Sequence, residues 1–538
     1  MSTLRVSVVG DLKIVFEIRD SDLAGRIGRL KTRHGVLETP FLFPVVDPSL
    51  RKQVVPLDKI RDIGFNGIIT NAYLLKKHVG LESNIHQYLG FDGVIMTDSG
   101  AYQILQYGTI DIENRAIVEY QCRIGSDIGV ILDIPTRHDV TYEEALTSVE
   151  ETLRRAEEVI DIVEECKSTL WVLPIQGGTY LDLLSRAARR ACDLGMYSIY
   201  AIGSPTTLLE RFELDRIVDM IYTVKSIVPS AKPIHLFGAG HPLVIPFVVA
   251  LGVDLMDSAS YILYARDDRY MTWRGTYKLE DLEYFPCNCP VCSRYSPKDL
   301  MEMPKHERVA KLAEHNLYVL IKELRSVKQA IREGRLWEYL EERAHSHPSA
   351  MRAFQKIKKY VELLYKHSPL SKSNITRAVY ILSMDSVYNP KIMLARRRSI
   401  DRAVIKNKCI ALIPLVPWDK PAYESQLYKR VLTCNRDLEN RCDVYFYMPI
   451  LGVVNVYLSE RYPFSQFESV YDFDDRSIED LCLLIIELVL RYTTLYDTIK
   501  LRMFISEGIP WSIKVAKLML SKIYTLSDLK IDVEIESI

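Results

Sequence analysis

The chain has 538 residues, 48% hydrophobic and 26% charged, enough for two to four soluble domains with sizeable cores. Its formal net charge of −1 excludes a globally basic nucleic-acid binder, although a local basic face remains allowed. No apolar run reaches the roughly 18 residues of a membrane span, and the nearest, LCLLIIELVL (481–490), is interrupted by Glu487.

The N-terminal stretch MSTLRVSVVGDLKIVFEIRD lacks a small-residue cleavage site and carries Asp11 and Glu17 early, so a cytoplasmic protein is expected. Eight short apolar runs follow, each closed by polar or glycine residues. They are FLFPVV (41–46), GIITNAY (67–73), VIMTDSG (94–100), GVILDIP (129–135), WVLPIQGG (171–178), SIYAIGSP (198–205), PIHLFGAG (233–240) and VDLMDSAS (253–260). Near-continuous hydrophobicity over four to six residues marks strands buried on both faces, as in a parallel sheet. Between them lie amphipathic helical stretches, including 141–166, 181–194 and 215–228. The pattern predicts an α/β fold, a (β/α)8 TIM-type barrel, with a doubly wound sheet as the rival arrangement.

A barrel gathers the C-terminal ends of all its strands at one mouth, where chemistry sits. Here those ends supply Asp98, Asp133, Gln176, Gly203 with Ser204, Gly238 with Gly240, and Asp257. A single Asp after a strand more often caps the next helix or closes an Asx-turn. Three of them, beside Gln176 and glycine-rich turns, favour a shared site. Crowded carboxylates cannot all ionise freely, so at least one should hold its proton to higher pH. Such a set suits glycosidic chemistry, with one carboxylate attacking the sugar carbon and another moving protons. A third could accept hydrogen bonds from the N1–H and 2-amino fork of a guanine-like base, with Tyr102 and Phe237 stacking on it.

YFPCNCPVCSRYSPKDL (284–300) places Cys287, Cys289 and Cys292 in a C-x-C-x2-C run, and His315 is the preferred fourth ligand over His306. Three thiolates and one imidazole make a closed, structural zinc site. The other cysteines, at 122, 166, 192, 409, 434, 442 and 482, have no ligand spacing and are expected in the core, because reducing conditions disfavour disulfides. From about 325 the pattern turns to charged helices in which Trp337 and Tyr339 interleave with Lys and Arg, a candidate RNA-facing surface. LARRRSIDRAVIKNK (394–408) is the densest basic run and a candidate phosphate contact.

Taken in order, TDSGAYQ, GSDIGVILDIPT, IQGG, HLFGAGHP, DLMDSASY and YFPCNCPVC resemble the tRNA-guanine transglycosylases, most closely the archaeal type. The resemblance spans residues 10–345 and continues more weakly beyond. It implies a tRNA substrate whose guanine at position 15 is replaced by 7-cyano-7-deazaguanine (preQ0) in archaeosine biosynthesis. Asp257 matches the carboxylate that attacks the ribose and Asp98 the proton shuttle, although the order of the two stays open. Asp133 matches the reader of the base edge, Gln176 the contact to its carbonyl, and Tyr102 and Phe237 the aromatic walls. Cys287, Cys289, Cys292 and His315 match ligands of one structural Zn2+ per subunit. In the loop after the sixth strand, relatives hold two small aliphatic residues where this chain has Ser204-Pro205-Thr206. Pro205 has no N–H, which leaves its carbonyl and the Thr206 N–H for the base beside Gly203.

The expected organisation is a catalytic barrel over 1–345 with the zinc-binding insertion at about 284–318. A helical or mixed linker domain over 346–415 and an α/β domain over 416–538 follow. Archaeal relatives often end in an RNA-gripping PUA domain, which is not recognisable here and is expected as a separate polypeptide. Homodimerisation near the zinc region is also implied. The competing readings are a non-catalytic tRNA-binding paralogue, a sister enzyme acting on preQ0 already in tRNA, and a barrel glycosidase.

Overall fold

The eight apolar runs form eight parallel strands closed into a barrel, and the reason is visible in their burial. Val94, Ile95 and Met96 are each almost wholly inaccessible, as are all four residues of Ile199–Ile202. Strands covered on both faces need helices outside and side chains within, and a parallel barrel provides both. The strands are Phe41–Pro44, Gly67–Asn71, Val94–Asp98, Ile128–Val130, Leu170–Ile175, Ile199–Ile202, Ile234–Leu236 and Leu255–Ser258. Each pairs with its sequential neighbour, and the eighth returns to the first with Leu255 opposite Phe41. A bridge between Val45 and Ile69, with the Val46 N–H donating to the Ile69 carbonyl at 2.8 Å, joins the first strand to the second. The rival doubly wound sheet is thereby excluded.

In this computed structural model the described residues are 15–101, 103, 112–369, 372, 377–470, 472–524 and 529–538. They divide into two compact units between Ser368 and Pro369. The expected helix over 141–166 forms as Tyr142–Glu158 and Ile160–Glu165, with Val159 at the break. Its start is set by a capping box, in which the Thr141 hydroxyl accepts from the Glu144 N–H and the Glu144 carboxylate accepts from the Thr141 N–H.

A three-stranded antiparallel sheet precedes the barrel (Phe16–Asp22, Gly25–Lys31, Val36–Glu38) and was not legible in the strand pattern. Two buried polar clusters tie it to the end of the barrel remote from the mouth. Arg26 forms an ion pair with Asp254, just before the eighth strand, and donates to the Ser230 and Lys232 carbonyls. Asp127, just before the fourth strand, accepts the His34 and Ile95 N–H groups, while its two oxygens lie 2.9 and 3.1 Å from His34 Nδ1 and His86 Nε2. Each carboxylate oxygen therefore has a backbone donor and lies close to an imidazole, although His86 Nε2 makes no hydrogen bond among the described residues.

The charged helices after the barrel overturn one expectation. Trp337 is buried against Phe354, and the Tyr339 hydroxyl donates to Glu323, which also pairs with Arg343. Trp337 is therefore helix-packing core, while Tyr339 is partly buried beside it.

The second unit carries a five-stranded sheet of Cys409–Pro414, Asp443–Met448, Gly452–Asn455, Thr498–Ile505 and Lys530–Ser537. Its order places the third strand outermost, then the second, first, fourth and fifth, and only the third runs antiparallel to its neighbour. Helices Asp475–Thr493 and Pro510–Tyr524 pack together, so the last stretch of the chain forms a helix and an edge strand of this sheet. In the basic run over 394–408 one basic residue is buried, while Arg397, Arg398, Arg402, Lys406 and Lys408 stay exposed. Arg396 is buried, bonded to Asp480 and the Ile450 carbonyl, and Arg397 faces Asp401.

Two pairs of cysteines expected as separate core residues are instead joined, Cys122 to Cys166 and Cys409 to Cys442. Neither pair lies close in sequence, so folding alone brings the thiols together. Among the described residues no helix is long and apolar enough to cross a membrane.

Candidate active site

At the C-terminal mouth of the barrel lies a cavity of about 820 Å³. Asp98, Asp133, Gln176, Ser204, Thr206, Phe237 and Asp257 all line it. These residues come from six different strand ends, so residues as far apart in the chain as Asp98 and Asp257 share one wall. Gly203 stands behind the wall for a steric reason. A Cβ there would fall 2.3 Å from Gln176 Nε2, so only glycine lets the amide lie flat against the backbone. Pro205 precedes the short helix Thr206–Glu210 and is not part of the lining. Tyr102 lies outside the described residues.

Asp98 ends the third strand and is held by Asn71, which ends the second. Asn71 Nδ2 donates to Asp98 Oδ2 at 3.1 Å, and the side-chain oxygen Asn71 Oδ1 is itself locked by the Leu74 N–H at 2.9 Å. Burial pushes the Asp98 carboxyl up to about 7, helped by the charges of Asp133 and Asp257 and opposed by the Gly100 and Ser99 N–H groups. A carboxyl in that range holds and releases a proton near neutral pH, as general acid–base work requires. Asp133 is deeper and is pushed up to about 6 by burial, with Gln176 Nε2 donating to it and pulling the other way.

Gln176 is the hub of this wall of the cavity. Its Oε1 accepts the Thr136 N–H and the Ser204 hydroxyl, both at 3.0 Å, while Nε2 donates to Asp133. With Oε1 fixed by two donors the amide cannot flip, so a second Nε2 hydrogen remains for a ligand acceptor. Ser204 reaches this position with a left-handed backbone (φ 60°), one of few non-glycine residues in that region here. Gly238, also left-handed at φ 69°, brings the seventh-strand loop against Thr206.

Asp257, on the eighth strand, is held from behind. Its Oδ1 accepts the Gly238 N–H at 3.1 Å and lies 2.8 Å from Nε2 of His235, which is fully buried on the seventh strand. Sequence reasoning passed over Asn71 and His235. Both sit on inward-facing strand positions, and a search for polar residues along the barrel interior would have found them.

The proposed metal ligands converge. Cys289 Sγ is 3.5 Å from Cys292 Sγ, and His315 Nδ1 is 3.4 and 3.3 Å from those sulfurs. His315 Nε2 donates to the Met271 carbonyl at 2.9 Å, which leaves Nδ1 as the free ligand atom. Tyr270 stacks on the imidazole and lies 3.3 Å from Cys292 Sγ. Cys287, Cys289, Cys292 and His315 can together hold a metal ion, whereas His306 is largely exposed and apart from them.

Residues 21–349 match the family described as queuine tRNA-ribosyltransferase. The tRNA-guanine(15) transglycosylase of Sulfolobus acidocaldarius is 46% identical over 475 residues, covering 88% of this chain and 92% of that protein. That of Saccharolobus solfataricus is 46% identical over 485 residues, 89% of this chain and 95% of the other. That of Aeropyrum pernix is 47% identical over 469 residues, 84% of this chain and 87% of its counterpart.

Proposed function

The chain belongs to the queuine tRNA-ribosyltransferase family, and on that premise we propose that it is a pentosyltransferase that replaces guanine at position 15 of tRNA by preQ0. The observation that carries the reading is the convergence of Asp98, Asp133 and Asp257 on one cavity, with Asp98 poised near neutrality. Asp257 attacks C1′ of the ribose as the bond to guanine breaks, giving a covalent ribosyl-enzyme ester. Asp98 gives its proton to the departing base. The carboxylate so formed then takes the N9 proton of incoming preQ0, whose nitrogen displaces the ester and returns Asp257 to its free form. One N-glycosidic bond replaces another, so no nucleotide triphosphate is consumed. Asp133 receives the N–H fork of the base and the spare Gln176 N–H faces its carbonyl, with Phe237 as an aromatic wall. The cavity volume suits an extruded nucleotide, whose removal from the tRNA fold costs a few kcal/mol.

The donor set of three thiolates and one imidazole fits Zn2+, held by Cys287, Cys289, Cys292 and His315. Bound there, the ion pins the insertion to helix Lys305–Glu333 and has no part in the bond exchange. The reading extends to a cytoplasmic homodimer and to a separate PUA-domain polypeptide that helps grip the tRNA, both testable by size measurement with and without tRNA.

The test is release of labelled guanine from position 15 when the protein is incubated with tRNA and free preQ0. A tRNA-binding paralogue releases none, and neither does an enzyme acting on preQ0 already in place. Mass spectrometry of a trapped tRNA adduct on Asp257 or Asp98 decides which carboxylate attacks.

A further inference from the structure

The geometry points to His235 as a positioning residue that selects which oxygen of Asp257 attacks the ribose. This rests on the reading of Asp257 as nucleophile. His235 is fully buried, with Nε2 2.8 Å from Asp257 Oδ1, and Gly238 donates its N–H to that same oxygen at 3.1 Å. Among the described residues Oδ2 has no hydrogen-bond partner, although Asp257 lines the cavity and is partly open to it. Oδ1 is thus occupied by two donors from behind, and the lone pairs of Oδ2 are left for C1′.

The tautomer follows from the other ring nitrogen. His235 Nδ1 is buried with no hydrogen-bond partner, among Phe43 and Phe237. A proton on Nδ1 would be a buried donor with nothing to accept it, whereas a bare lone pair there is cheaper to bury. The ring is therefore neutral, with its single proton on Nε2 directed at Oδ1. A neutral donor orients the carboxylate without forming an ion pair that would blunt its nucleophilicity. In the covalent intermediate Oδ2 is the ester oxygen and Oδ1 the carbonyl. The same two donors then favour departure of the carboxylate when the incoming base attacks, since charge returns to the group they contact.

His235→Leu removes the side-chain donor, and His235→Gln restores an amide N–H near the position of Nε2. Single-turnover formation of the tRNA adduct and steady-state exchange are measured for both. His235→Leu is expected to form adduct about 10- to 100-fold more slowly, the effect of one hydrogen bond to a charged group. The KM for tRNA should stay within about twofold, because His235 touches no substrate. His235→Gln should recover most of the rate. If His235→Leu does not accumulate as folded protein, His235→Asn serves in its place, since its amide is too short to reach Oδ1. Equal rates for the Asn and Gln variants, or a wild-type rate for His235→Leu, overturn the proposal. Asp257→Asn is the separate control. An Asp257→Asn protein that still forms adduct sinks the assignment of the nucleophile, whereas an inert one beside an unaffected His235→Leu sinks only the role of His235.

Discussion

Asp98→Asn should make the ligand-free protein more stable while abolishing base exchange. Raising a carboxyl from 3.8 to about 7 by burial and like charge costs the ionised form about 4 kcal/mol, at about 1.4 kcal/mol for each factor of ten. Asp98 is partly open at the cavity wall, where solvent screens it, so about 2 kcal/mol is expected to be measurable. The sign fixes the pH window. Below about pH 4 the group is neutral in both folded and unfolded chains, and the variant gains nothing. Between there and about pH 7 the unfolded chain has lost the proton while the folded site keeps it. The wild type therefore loses stability relative to the variant through that interval, and the gap is constant above it. The Asn side chain can still accept from Asn71 Nδ2 through its oxygen, so the existing donor is not orphaned. Unfolding of wild type and variant at pH 4, 6 and 8 is the assay, followed by hydrogen exchange of barrel-strand amides because the two units need not unfold together. A variant less stable than wild type at pH 8, or a difference independent of pH, would refute the account of Asp98 as a strained, proton-holding group.

Gln176→Ala should raise the KM for the free base about tenfold while sparing that for tRNA, because Asp133, Thr136 and Ser204 all lose their shared partner. Steady-state kinetics with each substrate varied in turn checks this. Gly240→Ala would bring a Cβ to 1.8 Å from Ser258 Cβ, beside Asp257, so a loss of about 1–3 kcal/mol and a lower kcat are expected from thermal melting and turnover. Cys292→Ser, or a strong chelator, should release the metal and lower the melting temperature of the first unit. Elemental analysis alongside the melt decides it, and a variant that keeps both metal and melting temperature would remove Cys292 from the ligand set.

What the linear chain determined by itself was periodic or local. Eight apolar runs ending on polar residues required strands buried on both faces, and the C-x-C-x2-C spacing required a shared centre, because these signals lie within a few residues of one another. The contacts that make Asp98 and Asp257 useful were decided only in three dimensions. Asn71 is 27 positions from Asp98 and His235 is 22 from Asp257, and neither distance has a signature until neighbouring strands align in register. The same is true of Trp337 and Arg396, which read as an exposed basic and aromatic face and are instead core. Sequence shows which side chains are charged, but not which have a buried partner waiting. The joined cysteines make the point again, since a thiol has no periodicity and pairing depends on which chain segments the barrel and the second sheet bring together.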